Sequence, residues 1–257
     1  MFLAVDINNF EISFFVVDNN GSVESTFRIS AIEYKTADQY VSEIRNAFDF
    51  LKIDKSKVIY AGVVSSVPKL ENIVIEFFDK YFKILPLIVS NKIVPINTLL
   101  PDINDIPTSI LVGSYSALQS YGDNMLVVNF ESIISFAAVI DNKFIGYAVY
   151  PGLEMLSSVV HEKTFIFPDV LTKVTSTAIG QNKYDALNCG LFNGCIGACD
   201  NIIQVTRETF NKKRLKVIAT GKNADIFSNY CQQINEVSDQ LIVKGILSIA
   251  KKSLLSI

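Results

Sequence analysis

A chain of 257 residues with 49% hydrophobic and 19% charged residues has ample apolar side chain for a large core, which excludes a disordered polypeptide. The formal net charge of -3 supplies no basic stripe, which argues against a nucleic-acid or anionic-membrane partner. The length suits two lobes of about 100 to 150 residues each.

The chain opens MFLAVD and reaches an acid at Asp6, leaving no room for the basic and apolar regions of a signal peptide. No apolar window attains the roughly 18 uncharged residues of a spanning helix, so a soluble, cytoplasmic protein is expected. Strands are predicted at 2–6, 11–18 and 23–30, the last because Val23, Phe27 and Ile29 share one face and Glu24, Thr26, Arg28 and Ser30 the other. Tyr40, Ile44 and Phe48 mark the buried side of a helix over 36–48. The apolar run 58–66 reads as a central strand stopped by Pro68, followed by a helix over 70–82 and a strand at 85–90.

The Pro-, Asp- and Asn-rich stretch 101–107 is the natural lobe boundary, which divides the chain into 1–104 and 105–257. A helix starts near Pro107 and runs to about Tyr121, because proline fits a first turn. Strands follow at 125–129, 133–140 and 143–149. After them come a helix over 153–161, a long or broken helix over 179–210, a strand at 215–220, a short helix at 223–230 and a last helix at 239–255.

The second strand set repeats the first. At one constant offset Val5 falls on Val128, Asp6 on Asn129, Val16 on Val139, Val17 on Ile140, Asp18 on Asp141 and Asn19 on Asn142. Each copy is an apolar run, a polar cluster and a second apolar run, the pattern of a β-hairpin with functional groups at its first turn. Two such lobes suit a nucleotide-dependent phosphotransferase of the actin-like kind. In that arrangement turn N–H groups hold phosphates and acidic side chains hold a hydrated cation.

Other clusters carry less. Cys189, Cys195 and Cys199 lie in CGLFNGCIGAC, a spacing unlike paired zinc ligands, and with Cys231 they read as buried residues. His161 ends a helix, where a surface role is as fitting as any chemistry. Lys212, Lys213, Arg214 and Lys216 form the basic run, read as a solvated turn before a strand.

Over nearly its whole length the chain resembles the type III pantothenate kinases, also called the Bvg accessory factor family. Members typically read DxGNT, SVVP, G-x-D-R, DFGTATT, GG-x-I-x-PG, TAxLP, GxNT, TGG and a C-terminal GL. Here the corresponding stretches are Asp6-Ile7-Asn8-Asn9-Phe10, Ser66-Val67-Pro68, Asn129-Phe130-Glu131-Ser132, Gly146 to Gly152, Thr164 to Pro168, Gly180-Gln181-Asn182-Lys183, Thr220-Gly221-Lys222 and Gly245-Ile246. The resemblance implies a two-lobed ribonuclease H-like (actin-like ATPase) α/β fold with a duplicated mixed-sheet core. It also implies ATP with magnesium and a monovalent cation as cofactors, a pantothenate-like ligand, and a homodimer paired through the second lobe.

The departures fall on the chemistry. The family's general base, the G-x-D-R aspartate, lands on Ser109, with Ile110 at the substrate-contacting arginine; a rival register puts Tyr115 and Ser116 there. Neither offers a carboxylate, and a serine hydroxyl is a very weak base near neutral pH. The cation-organising aspartate is Asn129, the next glycine is Glu131, and Ser132 keeps the threonine hydroxyl. Asp6 and Asn9 survive as nucleotide-site residues. Asn8 replaces a flexible glycine, mildly because asparagine tolerates a left-handed backbone, and Phe10 replaces a phosphate-contacting threonine. Lys183, which the resemblance makes the substrate-binding candidate, and Lys222 stand at the GxNT threonine and the second TGG glycine, open to three readings: anion contact, surface lysine or pairing with Glu131.

The leading expectation is therefore a degenerate homologue, impaired or inactive, that binds or regulates in coenzyme A metabolism, with a protein partner as one form of that role. The alternative is an active ATP-dependent pantothenate kinase in which Asp6, Glu131, Asp102 or Asp105 stands in. A hydrolase or sugar kinase of the same fold comes after these.

Overall fold

The structure is a computed structural model that describes residues 1–33, 35–169, 173–211 and 214–254. Met1–Ile96, Pro101–Ser116 and Leu241–Ile257 form one compact unit, and Asn97–Leu100 with Ala117–Gln240 form another.

The first unit is built on β1 (Phe2–Ile7), β2 (Glu11–Val17), β3 (Val23–Ser30), β4 (Tyr60–Ser65) and β5 (Leu87–Ile88), in the order β3-β2-β1-β4-β5. Every β1 residue but Asp6 is buried, as expected of a strand between neighbours with both faces covered. Edge strand β3 alternates half-buried and exposed residues with period two. Helix α1 (Ala37–Phe50) begins with a capping box between Thr36 and Gln39 and buries Ala37, Tyr40, Ile44 and Phe48. Helix α2 (Pro68–Phe77) starts on its proline and continues into a π-turn at Phe78–Phe82, so the single helix expected over 70–82 is two elements.

The second unit carries β6 (Asn97–Thr98), β7 (Met125–Phe130), β8 (Ile133–Ile140), β9 (Lys143–Pro151), β10 (Lys216–Thr220) and β11 (Glu236–Val237), in the order β11-β10-β7-β8-β9-β6. Apart from β6, this is the connectivity of the first sheet repeated. β7 is antiparallel to β8 and parallel to β10, as β1 is to β2 and β4. Asp6 pairs with Ser13 and Val64, and Asn129 pairs with Ser135 and Thr220. The sequence repeat is thus a repeat of topology, with Asp6 and Asn129 one residue before the end of equivalent strands. Between β8 and β9, Asp141 and Asn142 both take positive φ, the geometry of a tight hairpin turn.

Helices α4 (Leu153–Thr164), α5 (Lys183–Thr209) and α6 (Ala224–Ser228) belong to the second unit. Helix α3 (Thr108–Tyr121) begins at the expected place. The last helix, α7 (Leu241–Leu254), joins the first unit, so the compact units differ from the expected division at 104/105. A Cβ built on Gly62 of β4 would stand 2.6 Å from Ile246 of α7, and one on Gly245 would stand 2.6 Å from Val112 of α3. The Tyr115 and Ser248 hydroxyls, 3.1 Å apart, add a polar tie between α3 and α7.

Cys189, Cys195, Cys199 and Cys231 are all buried free thiols. The thiols of Cys195 and Cys231 together with burial push the Cys199 thiol far above its usual range, so it stays protonated. His161 is exposed in the last turn of α4, its Nδ1 2.9 Å from the Phe167 carbonyl oxygen. Of the basic run, Lys212 and Lys213 lie outside the described residues. Lys216 pairs with Glu236 at 2.6 Å and lowers that carboxyl's pKa. Among the described residues no helix is long and apolar enough to cross a membrane.

Candidate functional site

Each unit places one polar turn after a central strand, β1 in the first unit and β7 in the second. In the first unit the turn runs from Ile7 to Glu11. Asn8 Oδ1 accepts from the N–H groups of Phe10 and Glu11, both at 2.9 Å, and Asn8 N–H donates to the Glu11 carbonyl at 3.0 Å. An asparagine side chain that closes its own turn in this way consumes donors that a phosphate would otherwise use. Asn8 is not among the positive-φ residues, so its effect runs through the carboxamide and not through the left-handed backbone anticipated for it. Asp6 is half-buried on β1, Asn9 is exposed at the tip, and Phe10 is half-buried.

In the second unit the turn between β7 and β8 holds Asn129, Glu131 and Ser132 together, and two further segments close on it. Gly152, the N-cap of α4, donates its N–H to the Ser132 carbonyl at 2.9 Å. A Cβ built there would stand 2.5 Å from the Glu131 carbonyl. From the other side Gly221, at φ +92°, approaches so closely that its Cβ would stand 2.4 Å from Asn129 Oδ1. The next residue, Lys222, donates its backbone N–H to Glu131 Oε1 at 2.9 Å, and its ammonium pairs with Glu154 of α4 at 3.2 Å. The pairing open to Lys222 from the sequence is with Glu131; its ammonium pairs with Glu154, and the bond to Glu131 is made by the backbone N–H. Asn129 Oδ1 and Ser132 Oγ are buried with no hydrogen-bond partner.

The remaining candidates sit elsewhere. Ser109 is half-buried in the first turn of α3, where no acidic residue stands. Tyr115, the rival position, is fully buried and bonded to Ser248. Lys183 is exposed at the first position of α5, beside Asn182, whose side chain caps the helix by accepting from Asp185 N–H at 2.9 Å. A polar hollow of about 350 Å³ is lined by Thr175, Thr177, Gly180, Asn182 and Asn188 among others, and Lys183 does not line it. A larger hollow, about 560 Å³, lies between α1 and the π-turn over Phe48, Phe77 and Phe82, and neither polar turn contributes to it.

The sequence model of a family described as type III pantothenate kinase matches residues 2–205. The chain belongs to the type III pantothenate kinase family. A type III pantothenate kinase of Fusobacterium nucleatum is 29% identical over 256 residues, covering 98% of this chain and 99% of that protein. Among solved structures, a Baf family protein from Campylobacter jejuni superposes with a TM-score of 0.59 at 17% identity, covering 98% of this chain and 99% of its own. A ROK family glucokinase from Streptomyces griseus gives 0.53 at 11% identity over 97% and 99%. These likenesses establish the fold: two mixed sheets with flanking helices, each of the ribonuclease H-like kind seen in actin- and hexokinase-like kinases.

Within the type III pantothenate kinase family frame, sequence reasoning missed two features. Glu154 gave no local signal, because its contact with Lys222 joins the first turn of α4 to the loop after β10. The self-closing role of Asn8 had a signal in the tendency of asparagine to bond backbone N–H groups two residues on.

Proposed function

We propose that this protein is a binding or regulatory homologue of type III pantothenate kinase in coenzyme A metabolism, in which phosphoryl transfer from ATP to pantothenate has been lost. One observation carries the reading: the first turn of α3, where the family's base falls at Ser109, contains no carboxylate. A positioned base typically contributes roughly 10² to 10⁴ in rate, and a serine hydroxyl does not supply it.

The cofactor positions divide. The unpartnered oxygens of Asn129 and Ser132 fit a monovalent cation, which takes neutral oxygen ligands. Each turn by itself suits phosphate poorly: Asn8 occupies two N–H groups of the first, and Glu131 adds a carboxylate to the second. Calorimetric titration of ATP with magnesium and potassium is expected to give no micromolar dissociation constant. A micromolar value would count against the loss of nucleotide binding.

A homodimer is part of the same proposal. Gly190, Gly194 and Gly197 are exposed on α5, and a Cβ built on any of them meets no described atom within 4 Å, so internal packing does not account for them. Phe165 (98% exposed) and Ile179 (83%) add apolar surface in the same unit. Light scattering at micromolar concentration is expected to give twice the 28.5 kDa chain mass, and a monomer mass would reject pairing.

A further inference from the structure

We infer that Glu131 is a tethered anion that occupies the second turn's own anion seat, so that this site excludes free phosphate groups for as long as the glutamate is there. The inference deepens the proposed loss of phosphoryl transfer and rests on it for the identity of the turn.

The seat is formed by the loop after β10. Gly221 at φ +92° turns the following N–H, that of Lys222, toward the β7–β8 turn. The acceptor of that N–H is Glu131 Oε1 at 2.9 Å, a charge-assisted bond of the stronger class. The loop is held against the turn by a second backbone bond, from Asn223 N–H to the Phe130 carbonyl at 3.2 Å.

Charge points the same way. The Lys222 ammonium lies 3.2 Å from Oε1 and 3.3 Å from Oε2 of the single Glu154 carboxylate, so its charge is matched there, and Glu131 brings a second carboxylate to the neighbouring Lys222 N–H. A phosphate would have to displace a covalently attached competitor from the Lys222 N–H and enter beside Glu154. Removing Glu131 takes one carboxylate from the turn and its oxygen from the Lys222 N–H, while the Lys222 ammonium keeps Glu154 and the Ser132 hydroxyl, buried and unpartnered, stays in the turn.

The test uses inorganic phosphate and the full chain. Calorimetry is run on the wild type, Glu131→Gly and Glu131→Gln, with the Lys222 amide resonance followed in parallel. The glutamine variant keeps the side-chain length and so guards against misfolding of the glycine variant. The expected result is phosphate binding at least about tenfold tighter in either folded variant than in the wild type, with the Lys222 amide responding to phosphate at correspondingly lower concentration in the variants. Equal affinity for all three proteins overturns the inference. So does a loss of stability in both variants with no gain in affinity, which would make Glu131 a purely structural residue. Phosphoryl transfer is not read here, so an active wild type would overturn the proposed function and leave this result standing.

Discussion

Gly221→Ala is expected to destabilise the protein by about 2–4 kcal/mol, the sum of a left-handed backbone strained for an L side chain and an overpacked contact. At φ +92° only glycine is unstrained, and the added Cβ would stand 2.4 Å from Asn129 Oδ1 and 2.8 Å from the Phe130 carbonyl oxygen. The second clash is with backbone, so relief requires the loop after β10 to part from the β7–β8 turn, breaking the Asn223 bond to Phe130 and the Lys222 bond to Glu131. Gly122→Ala is the matched control: its φ is +82°, but nothing lies within 4 Å of its Cβ position. Urea unfolding of the two variants separates backbone strain from crowding. The difference between them is expected to be at least about 1 kcal/mol, the lower end of overpacking costs. Equal losses would mean that the two segments are not packed as described.

Ser109→Asp is expected to leave pantothenate phosphorylation at background in a fully folded protein. The substitution puts a carboxylate in the first turn of α3, which carries none. There it meets the positive end of the helix dipole, worth about 0.3–1 kcal/mol, so the variant should be no less stable than the wild type. Restoring the base alone leaves Ile110 where the family has an arginine, Asn129 where it has an aspartate, and Glu131 on the Lys222 N–H. Groups that act as a unit are not additive, so a base without a held nucleotide and an oriented substrate contributes little. Thermal melting alongside a coupled assay checks both halves. Turnover rising by roughly 10² or more, the scale of a working general base, would show that the rest of the machinery is intact.

Much of the architecture could be read from the repeat, because strand ends and turns constrain residue type where the middle of a strand does not. Asp6 and Asn129 mark equivalent strand ends, and Asp18 and Asp141 mark equivalent hairpin turns. The two-residue strands β6 and β11 were beyond reach, being too short to show a period, and β5 was read as the longer strand 85–90. The home of α7 was hidden for another reason: an apolar helix face fits either sheet, and the choice lies in long-range fits such as Gly62 against Ile246. At the site, Ser109 was assigned by spacing alone. Lys183, expected at substrate, is exposed at a helix start, and the pairing of Lys222 with Glu131 and Glu154 joins segments that no local pattern connects.

The most direct measurement of the central claim is phosphoryl transfer by the purified wild-type chain, given pantothenate, saturating ATP, magnesium and potassium or ammonium. The expected result is no turnover above background. Turnover near roughly 1 s⁻¹, the lower end of typical enzymes, abolished by Asp6→Ala, would contradict it and show that displaced groups perform the reaction.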